Sequence, residues 1–474
     1  MRLNQLLEKI QYISVTGNTD TEINEISNNT SELNPGDVFV CIKGFKTDGH
    51  SFADKAVQAG ASVIIASEQV NCEGIPVVTV KDTREALAQC SKVIYNDPSK
   101  KLKIIGVTGT NGKTTVSYLV KSILEKAGFT VGLIGTNETI VGDKVVPAMR
   151  TTPEAHKLNK LFTDMIDMGA QYCVMEVSSH SLELHRVTGI HFAVGVFTNL
   201  THDHLDFHLT MENYFAAKAK LFSMCDTGVI NLDDTRGEAF ADSVKGRLVT
   251  YSIDKQSDNK ATNINLLPAG NEFNLNGTHF SMKIPGNFSV YNGLAAICTC
   301  KSLGIDDTVI SEALANSSGA KGRAEVVEVP ADFKVVIDYA HTPDGLLNIL
   351  STMKKFTTGR IICVFGAAGE RDSAKRPDMG KIVGTYADMA IITADNPINE
   401  NLELICSQVE EGIKNTSCSY SIVYDREEAI KKALSQAKEN DLVLLAGKGH
   451  ETYQLIGDEK IPFSEKEIVT DFFK

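Results

Sequence analysis

The segment Ile104–Thr115, with the sequence IIGVTGTNGKTT, constrains the fold of this chain more than any other stretch. A short apolar run is followed by a Gly-rich turn, and then by a lysine and two threonines that open an amphipathic stretch, SYLVKSILEKAG. This order is typical of a buried strand that turns directly into a helix, which is the repeating unit of parallel α/β sheets.

The same turn predicts a phosphate-binding loop. Gly109 and Gly112 allow backbone N–H groups to approach an oligophosphate, Lys113 adds positive charge, and either of the two threonines that follow can offer a hydroxyl to Mg²⁺. The standard P-loop pattern is not met, because Val107 stands where that pattern has its first glycine. A strand-to-helix turn without a ligand is the alternative interpretation.

Length and composition indicate a globular protein of several domains. A chain of 474 residues is too long for one core, and its contents of 42% hydrophobic and 23% charged residues are ordinary. The formal net charge of −13 argues against a nucleic-acid partner. No signal peptide and no apolar run of about 18 residues is recognisable, so we expect a cytoplasmic protein without membrane insertion. The ten cysteines are scattered and predict neither disulfides nor a zinc site.

Three α/β domains are predicted. Residues 1–100 mix short strands and helices in a small α/β domain. Residues 101–317 alternate apolar strands with helices, which predicts a mostly parallel sheet of the P-loop type, and the Asn-rich segment 248–284 predicts an appended antiparallel piece. Residues 318–474 start a second alternation, of the Rossmann-like type. Polar loops follow its strands, at the edge where parallel sheets bind ligands.

Three other motifs each have a functional and an ordinary interpretation. Glu176 in MEVSSH ends an apolar strand, where it either holds Mg²⁺ or is a solvated cap. The loop THDHLDFH, residues 201–208, is either a metal site or a polar turn. Lys218 in YFAAKAKLF is by default a surface lysine.

Taken together, the motifs resemble those of the Mur ligases. GTNGKTT, MEVSSH, TNLTHDHLDFH, AAK, DYAHTPD, FGAAGERD, DNP and AGKGHE occur in the order and approximate spacing of that family. The resemblance covers essentially the whole chain and is strongest to members that add the third residue of the peptidoglycan peptide. It implies ATP-dependent amide bond formation through an acyl phosphate, with Mg²⁺ as cofactor. The implied partners are UDP-N-acetylmuramoyl-L-alanyl-D-glutamate and an amino acid, bound by a monomer.

The resemblance also implies roles for individual residues. The expected phosphate-binding residues are Gly109, Thr110, Asn111, Gly112, Lys113, Thr114 and Thr115. The expected adenine, ribose and phosphate contacts elsewhere are Asn292, Arg323, Asp338 and His341. Magnesium is expected at Thr114, Glu176, His204 and Lys218, of which the last matches a lysine that is carbamylated in the family. Lys113, Glu176, His204 and Lys218 form the expected catalytic set.

The UDP-sugar peptide is expected to contact residues of the first two domains: Thr30, Thr151, Thr152, Ser178 and Arg186. The segment Asn29–Ser31 departs from the Asp-Ser-Arg that is common in relatives. This departure removes a carboxylate and a guanidinium group from the expected uridine site.

The amino acid is expected to contact loops of the third domain: Arg371, Asp395, Asn396, Ile398, Gly447 and Glu451. Enzymes of the family that select meso-diaminopimelate resemble one another in having an arginine where this chain has Ile398. The guanidinium group of that arginine can bind the second carboxylate of the amino acid. Isoleucine cannot bind it, and Glu400 nearby favours a distal ammonium group. We therefore expect L-lysine or L-ornithine, with meso-diaminopimelate as the alternative.

Two broader alternatives remain after the sequence analysis. One is an amide ligase of the folylpolyglutamate synthase type, and the other is a nucleotide-binding homologue that has lost catalysis. The first is disfavoured by the N-terminal domain, and the second by the joint presence of Lys113, Glu176, His204 and Lys218.

Overall fold

The computed structural model describes residues 1–45, 47–148, 150–267, 270–317 and 319–474. The chain divides into two compact units. The first contains residues 1–108, 128–195 and 217–226, and the second contains residues 109–127, 196–216 and 227–474. None of the helices in the described parts of the chain is long and apolar enough to cross a bilayer.

The N-terminal part is a five-stranded sheet with helices. Its strands are β1 (Ser14–Thr16), β2 (Ile26–Ser27), β3 (Val38–Val40), β4 (Val63–Ala66) and β5 (Val77–Thr79). Its helices are α1 (Leu3–Leu7), α2 (Ala53–Gln58) and α3 (Thr83–Ile94), with short 3-10 turns at Gly49–Phe52 and Pro98–Lys100. The strand order is β1-β5-β4-β3-β2, and only β1 runs antiparallel to its neighbour. Strands β3 and β4 are buried on both faces, which explains their uninterrupted apolar sequences.

The central part contains eleven strands in one sheet. They are β6 (Lys103–Thr108), β7 (Val131–Ile134), β8 (Glu138–Val141), β9 (Lys144–Pro147), β10 (Tyr172–Glu176), β11 (Phe192–Phe197), β12 (Cys225–Asn231), β13 (Arg247–Ser252), β14 (Asn259–Leu267), β15 (Gly270–Leu275) and β16 (Thr278–Met282). The helices are α4 (Lys113–Lys126), α5 (Ala155–Asp167), α6 (Ser179–Glu183), α7 (Leu205–His208), α8 (Met211–Ala219), α9 (Gly237–Ser243), α10 (Asn287–Ser302) and α11 (Asp307–Asn316). A 3-10 turn, Lys220–Ser223, follows α8.

The order of this sheet is β16-β15-β14-β13-β12-β11-β6-β10-β7-β8-β9. Pairing is parallel from β6 through β10 to β7 and from β12 through β13 to β14, and it is antiparallel in the end hairpins β7-β8-β9 and β14-β15-β16. The mostly parallel sheet and its antiparallel piece are therefore confirmed. Asn276 and Gly277 join β15 to β16 with φ values of +50° and +88°, as a tight hairpin turn requires.

The C-terminal part is a six-stranded sheet between two layers of helices. Its strands are β17 (Glu325–Val327), β18 (Lys334–Asp338), β19 (Ile361–Phe365), β20 (Met389–Ile392), β21 (Ser419–Ile422) and β22 (Leu442–Ala446), in the order β17-β18-β22-β19-β20-β21. A separate hairpin is formed by β23 (Tyr453–Ile456) and β24 (Glu459–Pro462). The helices are α12 (Pro343–Phe356), α13 (Arg376–Tyr386), α14 (Leu402–Ile413), α15 (Arg426–Gln436) and α16 (Glu465–Phe472).

Alternate residues of the C-terminal strands enter two cores. In β18, Val336 belongs to the core formed with α12, α13 and α14, whereas Val335 and Ile337 belong to the core formed with α15 and α16. Strand β17 alone pairs antiparallel in this sheet. The parallel strands all end at one edge, which positions the loops after β18, β19, β20 and β22 together.

The sequence did not predict several short strands. They include the hairpin β8–β9, the edge strands β1, β17 and β21, and the hairpin β23–β24. All residues of β9 and β24 are exposed, so these strands lack the apolar runs or regular alternation by which strands are recognised. The predicted domain boundaries near residues 100 and 317 stay predictions.

Helices α13 and α14 approach each other unusually closely because glycines lie at their contact. A Cβ atom added to Gly412 would lie 1.8 Å from the carbonyl oxygen of Pro377, and one added to Gly380 would lie 2.0 Å from that of Val409. Both obstacles are backbone atoms, so relief requires movement of a whole helix.

We predict that Gly412→Ala lowers the free energy of unfolding by about 1–3 kcal/mol, since the added methyl group forces the two helices apart. Urea unfolding followed by circular dichroism measures the change. Glu411→Ala, at the preceding exposed position, is the control and should leave stability nearly unchanged. Equal stability of Gly412→Ala and the parent chain would contradict the close approach.

Candidate active site

The phosphate loop lies between β6 and α4, and its path depends on two glycines. Gly112 has a φ of +86°, and a Cβ atom there would lie 2.5 Å from Oδ1 of Asn292. A Cβ atom on Gly109 would lie 1.8 Å from Oγ1 of Thr198. Side chains at either position would clash, so the loop requires glycine at both.

Hydrogen bonds from the segment after β11 hold this loop in place. Thr198 Oγ1 donates to the carbonyl oxygen of Asn111 over 2.6 Å. The Asn199 side chain accepts from the backbone N–H of Asn111 over 2.9 Å and donates to its carbonyl oxygen over 3.1 Å. The hydroxyl groups of Thr110 and Tyr214 lie 3.1 Å apart. The segment that begins the TNLTHDHLDFH motif therefore supports the phosphate loop.

The predicted phosphate-binding side chains lie at the start of α4. Nζ of Lys113 donates to the carbonyl oxygens of Gly109 and Thr110 over 3.0 and 2.8 Å. The side chains of Thr114 and Thr115 are buried in the same turn. The N–H groups of a helix N-terminus beside an ammonium group are suited to bind an anion.

Two residues of the C-terminal part reach the phosphate loop. Nη2 of Arg323 donates to Oγ1 of Thr114 over 3.1 Å, and the guanidinium group stacks 4.5 Å from the ring centre of Tyr339. Nδ2 of Asn111 donates to Oδ2 of Asp344 over 2.6 Å. Arg323 was predicted here, but Asp344 was missed, although it is the last residue of the DYAHTPD motif.

Asp338 is the last residue of β18, and His341 lies in the loop that follows. The carboxylate of Asp338 accepts from the N–H groups of Ala340 and Ala324 over 2.8 and 2.7 Å, and burial raises its pKa although the charge of Arg323 opposes the rise. His341 Nδ1 lies 2.7 Å from the carbonyl oxygen of Tyr339, so this nitrogen carries the proton. Burial lowers the pKa of His341 and keeps the ring neutral.

His204 belongs to a charged cluster that the sequence revealed only in part. It precedes α7 with a φ of +56°, and its Nε2 lies 3.4 Å from Oδ2 of Asp203. Nζ of Lys375 lies 3.3 Å from the other oxygen of Asp203. Burial alone would raise the pKa of Asp203, but the charges of His204 and Lys375 hold it well below its usual range. Lys375 was missed because it lies beyond the GERD motif, where a lysine has no distinctive neighbours.

The remaining magnesium candidates are buried in the first unit. Glu176 ends β10 and is 1% exposed, and its two carboxylate oxygens accept from the N–H and hydroxyl groups of Thr136 over 2.8 and 3.0 Å. Lys218 on α8 is also 1% exposed, so it is not the surface lysine of the ordinary interpretation. The carboxylate of Glu176 and the hydroxyl of Thr114 are oxygen donors of the kind that Mg²⁺ prefers.

Four of the five predicted contacts to the UDP-sugar peptide, all except Thr30, belong to one hydrogen-bonded group in the first unit. Thr152 Oγ1 donates to the carbonyl oxygen of Glu176 over 2.8 Å and accepts from the N–H of Ser178 over 3.1 Å. Arg186 Nη1 donates to the carbonyl oxygen of Thr152 over 3.1 Å. The hydroxyl of Thr151 lies 3.1 Å from that of Thr136. Thr30 and Arg186 line a cavity of about 390 Å³ in the same unit.

The predicted amino-acid contacts lie on the loops after β20 and β22. Asn396 Nδ2 donates to Oε2 of Glu451 over 3.0 Å, and Lys448 donates to Oδ1 of Asn396 over 2.8 Å and pairs with Glu451. Burial favours a raised pKa for Glu451, but the charge of Lys448 lowers it, so this group is a carboxylate. A Cβ atom on Gly447 would lie 2.7 Å from Oδ2 of Asp395, which is buried. The buried Lys448 was missed, although it lies inside the AGKGHE motif.

Ile398 and Arg371 occupy neighbouring loops with different surroundings. The N–H of Ile398 donates to the carbonyl oxygen of Leu455 over 3.1 Å, and its φ of +54° is unusual for a β-branched residue. The N–H of Gly369 donates to the carbonyl oxygen of Asn396 over 2.9 Å, which joins the two loops. Arg371 is exposed.

Glu400 is already paired, contrary to the expectation that it would favour a distal ammonium group. The buried guanidinium group of Arg376 binds both oxygens of Glu400 over 2.6 and 2.8 Å, and the N–H of Glu370 donates to one of them over 2.8 Å. The charge of Arg376 lowers the pKa of Glu400 and offsets its negative charge. Arg376 and Glu400 are 24 positions apart in the chain, and no local pattern relates two residues at that separation. The sequence analysis therefore missed this pair.

Comparison with known proteins shows the family of the chain. Three family models match: the catalytic domain of the Mur ligase family at residues 22–103, the Mur ligase middle domain at 107–300, and the Mur ligase glutamate ligase domain at 322–449. The UDP-N-acetylmuramoyl-L-alanyl-D-glutamate–2,6-diaminopimelate ligase of Clostridium perfringens is 48% identical, with 100% of both chains covered.

Solved structures agree with the fold. The structure of a UDP-N-acetylmuramoyl-L-alanyl-D-glutamate–2,6-diaminopimelate ligase is 30% identical with a TM-score of 0.70, and 100% of this chain and 98% of that chain are covered. The MurF ligase of Thermotoga maritima in complex with ADP has a TM-score of 0.64 at 19% identity, with 95% and 97% covered, and shares the fold. The chain therefore belongs to the Mur ligase family, with its three-domain α/β fold, and is an ATP-dependent ligase that forms a bond between a carboxyl group and an amino acid.

Proposed function

We propose that this ligase adds 2,6-diaminopimelate to UDP-N-acetylmuramoyl-L-alanyl-D-glutamate as the third residue of the peptidoglycan peptide. The full-length identity of 48% to a ligase of that name is the observation that carries the proposal. A second relative, from Caldanaerobacter subterraneus, has the same name and is 47% identical over 99% of this chain. The sequence analysis favoured L-lysine, so the amino acid is the point on which the proposal departs from it.

The pairing of Glu400 removes one of the two arguments for lysine. The carboxylate of Glu400 is held by Nη1 and Nη2 of the buried Arg376. It therefore contributes little net negative charge to bind a distal ammonium group. The exposed Arg371 lies on a loop joined to the Asn396 loop and offers the second carboxylate of diaminopimelate a cation. This arrangement supports diaminopimelate.

L-Lysine is the second candidate, because Ile398 offers no guanidinium group at the position expected to bind the second carboxylate. In either case we expect the α-amino end of the incoming residue near Asn396 and Glu451, which are hydrogen-bonded to each other.

In the proposed reaction, phosphoryl transfer takes place at the phosphate loop. The γ-carboxylate of the D-glutamyl residue attacks the γ-phosphate of ATP, ADP leaves, and the amine of the third residue then displaces phosphate from the acyl phosphate. Lys113 and the N–H groups at the start of α4 stabilise charge on the transferred phosphoryl group. Arg323, which already contacts Thr114, reaches the same phosphates.

Thr114 and Glu176 would hold one magnesium ion, and His204 and Lys218 a second. Such ions offset the charge of the phosphate oxygens. A buried ammonium group would repel a cation, whereas the carbamate formed from Lys218 offers oxygen ligands. The carbamate, a monomeric state and a cytoplasmic location are parts of this proposal.

The choice of amino acid is tested by phosphate release with UDP-N-acetylmuramoyl-L-alanyl-D-glutamate and each of three amino acids. We expect kcat/KM for diaminopimelate to exceed that for L-lysine and L-ornithine by about tenfold or more, because only diaminopimelate has the carboxylate that Arg371 can bind. Arg371→Gln should reduce this ratio. A preference for lysine would overturn the diaminopimelate proposal and leave the ligase reaction intact.

Lys218→Ala should lower kcat by about a hundredfold or more, because a ligand of the second magnesium ion is lost. The matched control is Lys220→Ala, since Lys220 is exposed and pairs with Glu183 on the surface. Thermal unfolding of both variants distinguishes lost chemistry from lost folding. Full turnover by a folded Lys218→Ala variant would exclude the carbamate role.

A further inference from the structure

Arg426 is a buried arginine of the C-terminal part that takes no part in the proposed reaction. It is the first residue of α15, which follows β21 after a connection of a few residues. It therefore lies at the edge of the sheet where the parallel strands end. Its side chain is 1% exposed, so its guanidinium group places a positive charge inside the protein at this edge.

All three nitrogens of this guanidinium group donate hydrogen bonds. Nη1 donates to the carbonyl oxygen of Ala394 over 3.1 Å, and Nη2 donates to that of Ala446 over 2.8 Å. Nε donates over 2.9 Å to Oε1 of Glu465, the first residue of α16. The carboxylate of Glu465 is also buried and supplies the opposite charge. Three acceptors on three separate segments therefore hold the guanidinium group in one orientation.

Two of these acceptors belong to strand ends that are not neighbours in the sheet. Ala446 is the last residue of β22, and Ala394 lies two positions after the end of β20. Strand β19 lies between β22 and β20, so backbone pairing does not join these two ends directly. Arg426 bridges them across the end of β19. It therefore links two loops that pairing between their own strands cannot link.

Each of the two carbonyl groups belongs to a peptide unit that leads into an expected contact of the amino acid. Ala394 precedes Asp395, and Ala446 precedes Gly447. Because a peptide unit is planar, holding its carbonyl group also holds the nitrogen of the next residue. A Cβ atom on Gly447 would lie 2.7 Å from Oδ2 of Asp395, so the two loops approach each other closely at this point. A shift of either carbonyl group would therefore change the surface that we expect to receive the amino acid.

Arg360 forms a comparable ion pair at the opposite edge of the same sheet. Its Nε and Nη2 bind Oδ2 of Asp441 over 3.2 and 2.6 Å, and Nη2 also donates to the carbonyl oxygen of Gln436 over 2.8 Å. Arg360 immediately precedes β19, and Asp441 immediately precedes β22, so this pair lies where the strands begin. The sheet therefore offers a matched control, an arginine that binds a buried carboxylate and a carbonyl group away from the amino-acid loops.

We propose that Arg426 is a positioning residue for the incoming amino acid: it holds the loops after β20 and β22 at the spacing that the amino acid requires, without touching the amino acid itself. A buried ion pair can often be replaced by apolar residues without loss of stability, whereas two carbonyl groups on separate loops need the fork of a guanidinium group. The inference rests on the proposed function, since it assumes that these loops bind the third residue.

Steady-state kinetics of Arg426→Gln and Arg360→Gln test this role, with the amino acid that the parent chain prefers. Arg426→Gln should raise the KM for the amino acid about tenfold or more, because displaced loops bind it less well, while the KM values for ATP and UDP-N-acetylmuramoyl-L-alanyl-D-glutamate stay within about twofold. Arg360→Gln should leave all three KM values unchanged. Arg426→Lys keeps the charge but lacks the fork that binds both carbonyl groups, so its KM for the amino acid should be intermediate.

Thermal unfolding of the three variants separates positioning from folding. If folded Arg426→Gln keeps the parent KM for the amino acid, or if its three KM values rise together, the inference is wrong and the proposed function stands. Failure of both Arg426 variants to fold would also overturn the inference, since Arg426 would then serve the core and not the loops. If the parent chain releases no phosphate with any amino acid, the proposed function is wrong and the inference falls with it.

Discussion

The phosphate loop depends on the close approach of neighbouring side chains to the backbone at Gly109 and Gly112. Thr198 and Asn292 occupy the space that side chains at these positions would need, and Thr198 and Asn199 bind the loop at Asn111. The loop is therefore held from outside, and its N–H groups remain directed to a ligand at the start of α4. These contacts hold the loop in a chain that lacks the first glycine of the standard P-loop pattern.

The C-terminal part is linked to this loop by polar contacts. Arg323 donates to Thr114, and Asp344 accepts from Asn111, so residues from two predicted domains meet at the phosphate loop. Each contact is a hydrogen bond with one charged side chain. The loops that we expect to bind the amino acid follow strands of the same C-terminal sheet.

Ion pairing within the chain determines which charges remain for substrates. Arg376 neutralises Glu400, and Lys448 neutralises Glu451, so neither acid is free to select a distal ammonium group by charge alone. In the first unit, by contrast, one carboxylate, that of Glu154, pairs with both Arg150 and Arg186.

The local pattern of residues was sufficient for the α/β fold, the central parallel sheet and the phosphate loop, because strand burial, helix amphipathicity and Gly-rich turns depend on neighbours in the chain. The roles expected for Glu176 and Lys218 came instead from the resemblance of the ordered motifs to those of the family. The pairs Arg376–Glu400 and Lys375–Asp203 and the arginines around Glu154 join residues far apart in the chain. Whether a charged side chain is neutralised or available depends on such contacts, so these features required the three-dimensional arrangement.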